Sequence, residues 1–255
     1  MIFHSLILLS VLGGAPSVQA GDTTTYALTD VKEKPEVLSS PASHYRTCMQ
    51  NAGLRGVEGL EFVVDTAGHV AEGSVDVIQS ADPILDSIAV EDVRGETFRA
   101  GRIGGKAVRV RVQQPFKYGV FARPVVSGDS GVFAASCLDQ RPEVVKGPPP
   151  AYPEIERQLG HVAVVWAVFT IDSGGHVERG SVTVLPPSSR FDAAARSILM
   201  DRQSLFTPGR IFGHSVATRV RMPITFSLCG KAPGASQSAD PDDVEGVTVT
   251  ACPAR

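Results

Sequence analysis

The sequence predicts an α+β fold built from two homologous units in tandem, and three observations carry that expectation. The words VDTAGHVAEGSV (Val64–Val75) are written again as IDSGGHVERGSV (Ile171–Val182). The copying continues without a gap from Phe98–Tyr118 to Phe206–Phe226, where Gly101, Arg102, Ile103 and Gly105 meet Gly209, Arg210, Ile211 and Gly213. Each unit also repeats one succession of hydrophobic patterns: strand, turn, strand, helix, strand.

In the second unit HVAVVWAVFTI (His161–Ile171) is rich in valine, alanine and aromatics and reads as a strand buried on both faces or nearly so. DSGG (Asp172–Gly175) is a turn, since glycine tolerates the positive φ that a tight reversal needs. HVERGSVTVL (His176–Leu185) returns as the hairpin's second strand. A helix follows, with capping-box spacing at Ser189 and Asp192 and one apolar face of Phe191, Ala195, Ile198 and Leu199. The first unit begins its helix with Asp82 as the cap and Pro83 at the first helical position.

Each unit closes on an alternating strand. Val216, Thr218, Val220, Met222, Ile224 and Phe226 point one way; Ala217, Arg219, Arg221, Pro223 and Thr225 point the other. Val108, Val110, Val112, Phe116 and Tyr118 against Arg109, Arg111, Pro115 and Lys117 repeat the pattern. Proline cannot donate to a ladder, so Pro115 and Pro223 are each expected on an edge strand. A border must be blunted or used. Arginines on one face suit blunting, and a partner that adds a strand suits use.

The 255 residues are 43% hydrophobic and 20% charged, enough for one or two globular domains. A net charge of −3 with no basic cluster argues against nucleic acid as a partner. Residues 1–20 read as a signal peptide: Leu6–Leu12 is an apolar core, Pro16 breaks it, and Val18-Gln19-Ala20 has the small-x-Ala form of a cleavage site. Gly13, Gly14 and Pro16 cut the run short of the roughly twenty residues of a spanning helix. Export permits disulfides among Cys48, Cys137, Cys229 and Cys252. Four cysteines allow three pairings. Cys229 with Cys252 closes the shortest loop, and Cys48 would then pair with Cys137; free buried thiols are the alternative for a chain that stays in the cytoplasm. No Cys/His spacing suggests zinc, and no metal or cofactor is expected.

The string PAYPEIERQLG, VWAVFTIDSGGHV, FDAAARSIL, FTPGRIFG and TRVRMPITF resembles the C-terminal domain of TonB-family proteins. The resemblance rests on Pro150, Tyr152, Pro153, Asp172, Gly175, Asp192, Ala194, Ala195, Pro208, Pro223 and Phe226, and covers about 148 to 228. The first unit, about 43 to 121, is a degenerate copy, with His44–Gly53 in place of the Tyr-Pro opening. The resemblance implies two small two-layer domains, each with helices packed on a three-stranded antiparallel sheet. It implies that a sheet border pairs with a short segment of an outer-membrane transporter and passes on energy from the inner membrane. The chain departs from anchored members of the family. Its N-terminus looks cleavable, and the stretch from 21 to 42 is too short for their long spacer. If the N-terminus is kept instead, the resemblance implies a membrane-anchored energy transducer.

The expected organisation is therefore a signal peptide (1–20), a linker (21–42), a degenerate domain (43–122), a linker (123–147), a well-preserved domain (148–229) and a flexible tail (230–255). The partner-binding border is expected at Val216–Phe226, with Val216, Thr218, Arg219, Val220, Arg221, Ile224 and Phe226 as its residues. Other motifs are weaker. SGDSG (Ser127–Gly131) invites a serine hydrolase using Ser130, but no histidine base is placed for it, and a turn-rich connection is the simpler account. His69 and His176 follow equivalent turns with nothing to bring them together. Arg102 and Arg210 suit an anion or a repeated loop geometry. In the tail, PDDVEGVTVTACPAR (Pro241–Arg255) carries a short β-prone piece of Val244, Val247 and Val249 with Thr248 and Thr250, and its acidic start followed by valine and threonine has the flavour of the segments by which transporters engage TonB-like domains. Pairing with a sheet edge in its own chain or a neighbour's is one reading of it, and a disordered C-terminus is the other. The functional expectation is a non-enzymatic periplasmic protein that acts through contacts with envelope proteins, TonB-dependent transporters or copies of itself among them.

Overall fold

The computed structural model describes residues 23–119, 131–145, 151–187, 190–201, 206–234 and 240–252. The first repeat contains β1 (Thr25–Ala27), β2 (Glu36–Ser39), α1 (Thr47–Asn51), β3 (Gly56–Val64), β4 (Asp76–Gln79), α2 (Pro83–Arg94), β5 (Thr97–Arg99), β6 (Arg102–Ile103), β7 (Lys106–Ala107) and β8 (Arg109–Tyr118). The second contains β9 (Val132–Ala134), α3 (Glu154–Gln158), β10 (Ala163–Ile171), β11 (Thr183–Leu185), α4 (Asp192–Asp201), β12 (Gly209–Ile211) and β13 (His214–Leu228), followed by β14 (Val247–Ala251) in the tail.

Each repeat is built on a three-stranded antiparallel core, β4-β3-β8 in the first and β11-β10-β13 in the second. Alternation decides the faces. Leu60, Phe62 and Val64 on β3, and Val165, Ala167, Phe169 and Ile171 on β10, turn inward and are buried. The long helices cover those faces. α2 buries Ile84, Leu85, Ile88, Ala89 and Val93, and Asp82 caps it by accepting from the Ile84 amide at 2.8 Å. Beside α4, Phe191, Ala195, Ile198 and Leu199 enter the second core, with Phe191 stacked on Phe226 at 4.5 Å between ring centroids. The hairpin's return is less regular than its sequence suggests. Arg179–Ser181 is a short 3₁₀ turn, and only Thr183–Leu185 pairs as strand.

The three-stranded expectation needs correction at the border. The first sheet has four strands because β1 adds in parallel to β8, and the second has six because β9, β12 and β14 all join β13. The expected linkers 21–42 and 123–147 contribute β1, β2 and β9, and they belong to the repeated unit. Thr25, Tyr26 and Ala27 pair with Arg109, Val110 and Arg111; Val132, Phe133 and Ala134 pair with the corresponding Ala217, Thr218 and Arg219. The next residues repeat too. KPEV (Lys34–Val37) matches RPEV (Arg141–Val144), with Val37 opposite Phe98 and Val144 opposite Phe206. The opening tyrosine is likewise present in both units: Tyr45 and Tyr152 each donate a hydroxyl to a carbonyl just before the first long strand, Leu54 and His161 respectively.

The repeats share a core. Phe133, Cys137, Leu138, Ile211 and Val216 of the second pack with Met49, Ala52, Leu85 and Ile88 of the first. Arg46 pairs with Asp139 at 3.0 Å, Ser87 meets His214 at 3.1 Å, and Cys48 is disulfide-bonded to Cys137. The second disulfide joins Cys229 to Cys252, completing the pairing expected from loop length. The proposed signal peptide, Ser130, Pro150 and the capping residue Ser189 lie outside the described residues.

Candidate functional site

The outer border of the last strand is where the repeated architecture converges. On β13 the groups of alternate residues face the two sides. The Arg221 amide donates outward to the Asp242 carbonyl at 3.1 Å, and the Arg221 carbonyl accepts from Val244 at 2.9 Å. By the same parity Pro223 faces outward, so the donor it lacks is missing from the side away from β10, as expected of a border residue. Pro115 takes the equivalent place on β8, opposite Gly59 of β3.

The border at Val216–Phe226 is nevertheless not open. β9 covers Ala217–Arg219, and the tail covers it from Arg221 to Leu228. The expectation of an exposed strand is corrected: β13 is paired along both sides. The reason is a tail long enough to fold back alongside the strand. β14 runs parallel to β13, with Ile224, Thr225, Phe226, Ser227 and Leu228 opposite Val247, Thr248, Val249, Thr250 and Ala251.

The seven site residues divide by face. Val216, Thr218, Val220, Ile224 and Phe226 are buried against the helices and, being of the opposite parity to Arg221 and Pro223, turn their backbone groups away from the outer border, so neither their side chains nor their backbones are placed to meet a partner there. Arg219 and Arg221 project from the opposite face. Arg221 lies 4.1 Å above the Trp166 ring, with Asp240 at 3.3 Å and Asp243 at 3.6 Å. Sequence reasoning passed over Trp166 and these two carboxylates as part of this site. An acidic triplet four residues ahead of a Val/Thr alternation was the available signal.

The remaining motifs resolve into turn chemistry. Asp65 accepts from the amides of Ala67 and His69, and Asp172 from those of Gly174 and His176, all at 2.8 to 2.9 Å. These amide bonds help hold the Asp172 carboxyl below its usual range against the opposing effect of desolvation, the largest single influence on it. Gly68 and Gly175 have φ of +90° and +86°, and a Cβ at either would sit 2.0 or 2.3 Å from the carbonyl oxygen of Phe98 or Phe206. That contact explains why Asp-x-x-Gly was kept in both copies. Arg102 and Arg210 each bridge their own hairpin, donating at 2.7 Å to the carbonyls of Gly105 and Gly213. Among the described residues no cluster of three or more His, Cys, Asp or Glu side chains is arranged to hold a metal ion.

Fold and border together define a class: a duplicated two-layer α/β module whose last strand accepts further strands. The family model for the Gram-negative bacterial TonB protein C-terminal matches residues 41–120 and 148–228, well over half of the chain, and the chain belongs to that family. Among solved structures it is similar to the TonB C-terminal domain of Pseudomonas aeruginosa determined by solution NMR, at 20% identity and a TM-score of 0.31, over 38% of this chain and 96% of that one. A search of curated proteins returns no match. Among the described residues no helix is long and apolar enough to cross a membrane.

Proposed function

We propose that this is an exported protein-interaction protein of the cell envelope, which docks extended segments of its partners, outer-membrane transporters among them, as added strands on the outer border of its last strands. The observation that carries this reading is intramolecular. Short segments of the chain already add in parallel to that border at three places: β1 on β8, and β9 and β14 on β13. Parallel addition uses backbone groups for affinity and alternate side chains for selection. The role needs no catalytic step. Export rests on the apolar run and cleavage site of residues 1–20, and on the cysteines being disulfide-bonded.

The first repeat offers the accessible surface. Beyond Arg111 no strand covers the outer side of β8 among the described residues, leaving Gln113, Pro115 and Lys117 at the border. A photocrosslinking side chain at Lys117, introduced in cells, is expected to form adducts with envelope proteins, whereas one at Glu72, in an exposed turn, is not. Equal labelling from both positions, or none from Lys117, overturns the docking assignment.

A further inference from the structure

We propose that the C-terminal tail, Asp240–Cys252, is a built-in occupant of the second repeat's docking border, latched by the Cys229–Cys252 disulfide, so that this border is closed until the tail leaves. The inference rests on the docking role above and extends it, because it makes the two repeats functionally unequal.

Comparison of the repeats singles the tail out. β1 and β9 occupy corresponding places, so a leading strand is part of the repeated unit. The tail has no such counterpart among the described residues. Arg221, Pro223 and Thr225 lie beside it, while Gln113, Pro115 and Lys117, at the matching positions, have no strand beyond them among the described residues. Among the described residues, the module's three-stranded core and leading strand therefore stand in the first repeat with no tail strand beside β8.

What the tail presents is the chemistry of a docked ligand. Val247 and Val249 turn inward with Val244, and Val249 is 1% exposed against Phe226 and its neighbours. Thr250 meets Ser227 at 2.9 Å. Upstream, Asp240 and Asp243 hold Arg221, and Asp242 accepts from the Ser136 amide at 2.9 Å, so the tail also locks onto the leading segment of the repeat. At its far end the Cys229 amide donates to the Ala251 carbonyl at 3.1 Å beside the disulfide. The tail is thus fixed at both ends. A tethered segment competes at an effective concentration in the millimolar range, and a second covalent link suppresses peeling from the free end. A segment of equal intrinsic affinity arriving from another protein then meets a border available only in the small open fraction.

The test uses a fluorescently labelled peptide of residues 240–252, carrying Cys252→Ser, as the probe. Three proteins are compared: the full chain, the chain carrying Cys229→Ser and Cys252→Ser, and the chain ending at Gly234. The truncated chain is expected to bind the peptide at least about 100-fold more tightly than the full chain, with the unlatched chain between them. The sole tryptophan, Trp166, supplies a local signal, because Arg221 is held above it by tail carboxylates. Truncation is expected to shift its emission, and added peptide to restore it. Equal peptide binding by full and truncated chains overturns the gate while leaving the docking border standing. A folded truncated chain that binds no peptide and keeps its Trp166 emission unchanged overturns the tail as a ligand. Lys117 crosslinking in the first repeat still tests the docking role on its own. Should truncation prevent folding, a protease site placed between Gly234 and Asp240 of the unlatched chain allows the tail to be cut after folding. Exchange of the cut tail for labelled peptide supports the proposal, and a tail that never exchanges overturns it as a permanent structural strand. A concentration-dependent dimer with exchanged tails moves the occupant to the neighbouring copy and overturns the intramolecular form.

Discussion

At the scale of single residues, the least expected feature is a pair of carboxyl groups inside the first repeat. Glu58 is fully buried on β3, where hydrophobic alternation would place an apolar side chain. Its Oε2 accepts from the Ala81 amide at 2.9 Å, while its Oε1 and the Asp86 Oδ1 are both buried with no other partner. A proton shared between the two carboxyls would satisfy both atoms. Burial, reinforced by Asp86, pushes the Glu58 carboxyl up to about 7. The folded-state value is raised above the unfolded one, so the stabilisation is complete below the unfolded value, about 4.3, and is lost as pH rises through 7. Unfolding free energy is expected to fall by on the order of 2 kcal/mol between pH 5 and pH 8 from this group. Glu58→Gln supplies an amide donor to Asp86 without a titrating proton, and its urea stability should lack that decline. Identical pH slopes for the two proteins would contradict the shared proton. The presence of Glu58 was visible in the sequence, but its burial was not: GVEGLEFVV reads equally well with either glutamate outward.

At the scale of elements, what was legible depended on length and on locality. The strands β3, β8, β10 and β13 and the helices α2 and α4 are long enough for alternation or an apolar face to register, and the Asp82-Pro83 cap was readable because it acts within two residues. The leading strands were not. TYA and VFA are three residues each, too short to show a period, and they pair with partners more than eighty residues away. Only the duplicated KPEV and RPEV marked them, and those words stand outside the regions matched by the family model. Pro115 and Pro223 were both expected on edge strands; among the described residues Pro115 lies on an open stretch of β8, whereas Pro223 lies on a strand paired along both sides. The error lay in equating a border of the three-stranded core with an exposed edge, because a proline's missing donor says nothing about a tail that can still pack alongside. Distance along the chain also separates the two disulfides. Cys48 and Cys137 are 89 apart, and Cys229 and Cys252 only 23. Loop closure in the unfolded chain predicts that replacing the first pair with serine costs about 4.5 kcal/mol and replacing the second about 3.4 kcal/mol. Urea unfolding of the two double variants checks the order, and a larger loss from the shorter loop would mean that tail packing outweighs loop closure.

For the whole molecule, the question is whether a duplicated chain behaves as two folding units or one. The shared core argues for one. Ile211 and Val216 belong to the second repeat by sequence, yet they are packed among Met49, Leu85 and Ile88 of the first. Cys137 is a second-repeat residue bonded to the first. Separating the halves would expose this apolar seam to water, and each leucine- or isoleucine-sized side chain stripped of its partners loses roughly 1.5–3 kcal/mol of burial. Neither half then has a stable state of its own at denaturant concentrations that unfold the other. The full chain is expected to unfold in a single cooperative transition. Trp166 makes the test direct, since it is the only tryptophan and reports on β10 of the second repeat alone. Its emission and the far-ultraviolet circular dichroism of the whole chain should trace superimposable urea curves. Two separated midpoints would mean that the repeats fold independently. The seam would then be a docking contact between domains, and the disulfide from Cys48 to Cys137 would be their principal connection.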